Sequence, residues 1–93
     1  MALYIITCVD KPDSLDLRLA TRQAHLDYAK NWVDRMLVGG PLLSDDGQTM
    51  QGSMLILDLD DPAQIDDYLA NDPYNQAGLF ESVTVRRYKK MLP

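Results

Sequence analysis

The chain holds one cysteine and one histidine and has no excess of basic residues, and each shortage closes off a class of function. Cys8 alone cannot form an internal disulfide, and its place in an apolar run of strand character reads as a small buried hydrophobe rather than a nucleophile. With His25 the sole imidazole beside that thiol, there is no zinc or iron ligand set of ordinary spacing, and carboxylates alone would hold an ion only weakly. No metal and no cofactor are expected. Nine Lys and Arg against fourteen Asp and Glu give a net charge of −5, which repels phosphate backbones. The only basic clusters, Arg86-Arg87 and Lys89-Lys90, fall in the last strand, so no nucleic-acid partner is expected. No apolar run approaches the roughly 18 residues of a membrane span. The opening "MALYIITCVDKPD" lacks the basic start and small-residue cleavage site of a secretory signal. A cytoplasmic location without a membrane partner follows as the expectation. Gly39, Gly40 and Gly52 match neither GxGxxG nor GxxxxGK[ST] and read as bulges or sites of close packing.

What is present describes a small α+β domain. Ninety-three residues, 46 % hydrophobic and 25 % charged, suit one globular domain spanning 1–93. A domain of this size buries only about 60 % of its unfolded surface, which makes added burial through a dimer plausible. "LYIITCV" (3–9) is apolar on both parities and rich in β-branched residues, the pattern of a strand covered on two faces. After "KPDS", Asp13 or Ser14 can cap a first helix whose apolar residues Leu15, Leu19, Leu26, Ala29, Val33 and Met36 recur at spacings of three, four or seven. "LVGGPLL" suits a short edge strand with a bulge, and "LSDDGQTMQG" a hairpin-like loop. "SMLILDL" (53–59) reads as a second central strand. Asp61 as cap and Pro62 as first helical residue open a second helix with Ile65, Tyr68 and Leu69 facing inward. "SVTVRRYKKM" alternates as a strand with one wetter face.

The order β-α-β-β-α-β is that of the ferredoxin-like fold, an antiparallel four-stranded sheet with both helices on one face. Helices cover only one face, yet the first and third strands are greasy on both. A second copy packed on the open face resolves this, so a homodimer is expected.

Two residues stand out as chemistry. At 100° per residue, His25 lies about 80° from the centre of the helix stripe set by Leu15 and Val33, at its border. It reads either as an imidazole satisfied by a backbone carbonyl or as a general acid or base, since its unperturbed pKa of about 6.5 lies nearest neutrality. Asp72 precedes Pro73 just as Asp61 precedes Pro62, so it reads either as the cap of a short turn "PYNQ" or as an acid placed for catalysis. Arg22 lies only about 20° from the stripe centre and needs an anion there, from a surface carboxylate or a ligand. Tyr28, Trp32, Tyr68, Tyr74 and Phe80 read as core or interface residues.

Taken in order, "RQAHLDY", "GGPLL", "GSMLIL", "NDPYNQAGLF" and "VTVRRYK" span nearly the whole chain, and together they resemble the YCII-related domain family of small bacterial proteins. The resemblance implies a dimeric α+β barrel of two facing sheets. It also implies a pocket in which the helix-one histidine and the aspartate of Asp-Pro-Tyr form an acid-base pair, here His25 and Asp72. Arg22, Gly40, Pro41, Ser53 and Tyr74 are the expected substrate-binding residues. Some similar proteins remove hydrogen halide from chlorinated aromatic breakdown products or act near muconolactone isomerases. The implied function is a cofactor-free lyase or isomerase acting on a small cyclic or aromatic-derived metabolite. The alternative is a non-catalytic ligand-binding or accessory dimeric domain; a shared fold does not choose between them.

Overall fold

The computed structural model describes residues 2–93. Its elements are β1 (Ala2–Asp10), α1 (Leu15–Ala29), a 3-10 segment (Lys30–Arg35), β2 (Met36–Leu43), β3 (Met50–Leu59), α2 (Ala63–Asn71), α3 (Pro73–Gln76) and β4 (Phe80–Tyr88). The strands form one antiparallel sheet in the order β2-β3-β1-β4, the ferredoxin-like arrangement. The two most apolar strands, β1 and β3, are central, and β2 is an edge strand with the register shifts expected of "LVGGPLL".

Alternation decides which side chains the helices cover. On β1 these are Tyr4, Ile6 and Cys8, paired with Leu57, Leu55 and Ser53 of β3. All six are buried, and Ile65 and Tyr68 of α2 complete the core. The other parity is apolar as well, with Ile5 opposite Ile56 and Thr7 opposite Met54. Gly52 is required by close approach, because a Cβ there would run into the carbonyl oxygen of Cys8 on the neighbouring strand.

The helix starts combine local chemistry with proline. Asp61 Oδ1 accepts from the Ala63 amide at 2.9 Å, while Gln64 Oε1 reaches back to the Asp60 and Asp61 amides at 3.0 and 3.2 Å. This reciprocal capping box anchors α2. At α1 the Ser14 side chain makes no cap bond, and Asp13 takes φ 57°, so the expected side-chain cap does not form.

Helix one differs from its expected orientation. The α-helix ends at Ala29, Val33 sits in the 3-10 segment, and Met36 already begins β2. Leu15, Leu19 and Val33 of the stripe are turned outward, with Leu19 50 % and Val33 55 % exposed, while the partly exposed Leu26 lies at the edge of a cavity beside the sheet. The inward face carries Arg18, which is buried, with His25, Tyr28 and Trp32, which are half-buried. Tyr28 and Trp32 pack their rings around Tyr68 at centroid separations of 5.5 and 5.3 Å, supplying the apolar contact that the leucines do not. No described helix is long and apolar enough to cross a membrane.

Candidate active site

The site grows from the junction of α2 and α3. A proline disfavours helical backbone in the residue before it, so Pro73 at the start of α3 forces Asp72 into an extended conformation (φ −69°, ψ 120°). That places the Asp72 carboxylate over the first turn of α3, where Oδ1 accepts from the Tyr74 amide at 3.0 Å. The same oxygen lies 2.9 Å from His25 Nδ1. Asp72 is 2 % exposed, so both contacts form away from bulk water. The two readings of Asp72 are therefore not alternatives. One oxygen caps α3 and holds the imidazole, which leaves His25 Nε2 as the nitrogen free for a ligand.

Tyr74 ties this pair to a second polar group. Its ring stacks on His25, with centroids 4.1 Å apart and planes 16° from parallel, and the Arg18 guanidinium carbon lies 4.5 Å from the same ring centroid. Arg18 is itself fixed. Its Nε and Nη2 donate to the two carboxylate oxygens of Asp10 at 2.6 and 2.9 Å, and Nη2 also donates to Ser53 Oγ at 2.9 Å. Burial works against the guanidinium charge, and the hydrogen bonds and charge of Asp10 outweigh it, so the Arg18 pKa lies above its ordinary value. Burial raises the Tyr74 phenol pKa against the opposing pull of Arg18 and Arg22, which keeps the hydroxyl protonated. Burial, with Asp72 adding to it, pushes the Cys8 thiol up to about 12, so Cys8 is inert as read from the sequence.

These groups line a cavity of about 200 Å³ between α1 and the β2-β3 side of the sheet. That is below the roughly 300–1,000 Å³ of pockets for drug-sized ligands and suits a single ring. Among the described residues no cluster of three or more His, Cys, Asp or Glu could hold a metal ion.

The chain matches the YCII-related domain over residues 2–89. It belongs to that family. It is 34 % identical to Protein YciI of Escherichia coli over 96 % of this chain and 98 % of that protein. It is 33 % identical to an uncharacterized protein of Haemophilus influenzae over 95 % and 97 %. Among solved structures it resembles a 5-chloro-2-hydroxyhydroquinone dehydrochlorinase from Burkholderia phenoliruptrix in complex with 2,5-dihydroxybenzoquinone. That likeness has a TM-score of 0.87 and 35 % identity, and it covers 94 % of this chain and 93 % of that one. An antibiotic biosynthesis monooxygenase at 14 % identity and TM-score 0.60 shares the fold.

Within this YCII-related domain the other expected site residues fall unevenly. Ser53 and Tyr74 are buried in the cavity wall, and Gly40 and Pro41 line its β2 side, where a Cβ on Gly40 would meet nothing within 4 Å. Arg22 lines the cavity but is exposed and makes no ion pair among the described residues. Its placement near a buried stripe fails because that stripe faces outward. The buried arginine is Arg18, and with Asp10 it is absent from the sequence-based set. The signal that would have found it is the spacing of Arg18, His25 and Trp32 at intervals of seven, with Tyr28 on the same face.

Proposed function

We propose that this domain is a cofactor-free lyase or isomerase acting on a small cyclic, aromatic-derived compound, with His25 moving the proton and Asp72 orienting the imidazole and stabilising its charged form. The observation that carries the reading is the 2.9 Å contact between His25 Nδ1 and a buried Asp72 oxygen at the wall of a cavity sized for one ring. It is supported by the 35 % identity to a dehydrochlorinase in complex with a ring compound. In the lyase form His25 Nε2 takes a proton from a ring hydroxyl and returns it to the ring carbon that bears the leaving group. Ionisation of a second hydroxyl then expels that group as its anion, leaving a quinone and one proton for solvent. The first half alone, a proton carried from oxygen to carbon, is an isomerisation. One positioned imidazole therefore serves both reactions, contributing about 10² to 10⁴ in rate.

The working unit in this proposal is a homodimer formed through the open sheet face that carries Ile5, Ile56 and Met54. The test is chloride release and quinone absorbance with 5-chloro-2-hydroxyhydroquinone. Turnover by the wild type, cut at least a hundredfold in His25→Gln, is the expected result. Binding without chloride release or hydroxyl-to-carbon proton transfer would replace this reading with the non-catalytic ligand-binding one.

A further inference from the structure

The cavity has a polar end that the proton-transfer scheme leaves unused. Arg18 and Tyr74 are each only 2 % exposed, and both line the cavity. Asp10 and Ser53 occupy Nε and Nη2 of Arg18, while Nη1 has no hydrogen-bond partner among the described residues. The Tyr74 hydroxyl lies beside the Arg18 guanidinium, a donor, and its own proton has no acceptor among the described residues, since Asp72 engages only the Tyr74 amide. Yet no fully buried side-chain nitrogen or oxygen among the described residues lacks a partner. Both groups must therefore reach open space, and for two side chains this deeply buried that space is the cavity they line. Two donors with no acceptor face it from one end.

The rest of the wall has a different character. Three of the five methionines, Met36, Met50 and Met54, line the cavity with Leu26 and Leu55. Thioethers are polarizable and make favourable contacts with aromatic rings. Arg18 and His25 are two helical turns apart on α1, with the Tyr74 ring in contact with both, so donor end and imidazole lie along one side of the space. The carboxylate of Asp10 fixes the guanidinium plane through two parallel bonds, which leaves Nη1 little freedom to lose on binding.

We infer that Arg18 Nη1 and the Tyr74 hydroxyl form a subsite for an ionised ring oxygen, so that the ligand is a single flat ring carrying an oxyanion of the hydroxyquinone or enolate type. This rests on the cavity's being the substrate site, as proposed above, and adds the charge state of the substrate and the residues that select it. Arg22 at the rim contributes positive charge to approach, while Arg18 and Tyr74 hold the oxygen. Anchoring one oxygen there sets the opposite part of the ring toward His25 Nε2. When the oxygen held there is that of the second hydroxyl, the same donors favour the ionised form that expels the leaving group.

The test measures binding rather than turnover. Calorimetry at neutral pH compares 2,5-dihydroxybenzoquinone, whose hydroxyls are vinylogous acids and ionise, with resorcinol, an uncharged single ring whose phenols stay protonated. The wild type is expected to prefer the anion by roughly tenfold or more, the range for a hydrogen bond to a charged group. Tyr74→Phe keeps the ring contacts with His25 and Arg18 and should reduce that preference several-fold. Asp10→Asn with Arg18→Gln removes both buried charges together, leaving no unpaired ion, and should abolish it. A preference unchanged in Tyr74→Phe and in the double variant, or one lost in Arg22→Gln alone, overturns the subsite. If the double variant does not fold, Tyr74→Phe decides the matter. His25→Gln separates the two claims: it should retain anion binding while losing chloride release, so the subsite stands or falls independently of the catalytic role.

Discussion

Replacing Asp72 by Asn and by Ala separates the two tasks of its Oδ1 atom. Asn keeps a carbonyl oxygen in the same place, so the Tyr74 amide retains its acceptor and His25 Nδ1 retains a neutral one. It also removes a carboxylate that is 2 % exposed, so stability should stay within about 0.5 kcal/mol of the wild type or rise. Ala removes the cap and strands a buried amide. A lost cap costs about 1 kcal/mol and an unsatisfied buried donor about 1–3, and the two descriptions overlap, so about 2 kcal/mol is expected. For a chain of this size that lowers the melting temperature by roughly 8–16 °C. Turnover should behave differently. Both variants lose the buried carboxylate charge 2.9 Å from the imidazole, so under the proposed mechanism kcat should fall by about 10² or more in each, within the range of acid-base catalysis. Circular dichroism melts and chloride release on the same preparations give both numbers. If the Asn variant melts as low as the Ala variant, Oδ1 is not the shared acceptor. If it turns over like the wild type, the charge has no catalytic role.

Arg18→Met leaves Asp10 buried without its partner and should destabilise by about 3–5 kcal/mol in urea titrations, most of it recovered when Asp10→Asn is added. Gly52→Ala drives a Cβ into the Cys8 carbonyl and should lower the urea midpoint strongly, whereas Gly40→Ala, with open space at its Cβ, should leave the midpoint unchanged. Cys8, Tyr28, Tyr68 and Tyr74 all have folded pKa values raised by burial above ordinary values of 9.0 for the thiol and 10.0 for the phenols. Above pH 9 the unfolded chain therefore sheds protons that the folded one keeps. Their contribution is complete below pH 9, and stability should fall as pH rises from 9 towards 12, with equal stability at pH 8 and 11 refuting it. Light scattering at micromolar concentration should give the mass of two chains, and the mass of one would refute the dimer.

The fold was legible because its strands announce themselves. β1 and β3 carry apolar residues on both parities, β2 is broken by Gly-Gly-Pro, and Asp-Pro marks the starts of both α2 and α3. The pair of His25 and Asp72 was legible through the family motif, not through spacing, since nothing local to position 25 reports a carboxylate 47 residues away. Arg18 was not legible by the rule applied to α1. That rule assumes that a helix buries its most apolar stripe. Here Leu15, Leu19 and Val33 face outward, Leu26 lies at the cavity edge, and the side that faces the sheet carries Arg18, His25, Tyr28 and Trp32.

The physical reason lies in what each inward side chain brings with it. Arg18 is paired with a bidentate carboxylate from the end of β1, His25 is hydrogen-bonded to the acid that caps α3, and Tyr28 donates its hydroxyl to the Tyr68 carbonyl at 2.8 Å. With each polar group partnered from another element, the cost of burying this face is largely offset, and the aromatic surface of Tyr28 and Trp32 supplies the apolar gain. Because these partners come from β1, α2 and the α2-α3 junction, the inward face of α1 is specified by tertiary contacts rather than by its own periodicity. The same contacts fix the imidazole and the guanidinium before any ligand arrives, so the residues that set the helix's orientation are also those with which the proposed chemistry is built.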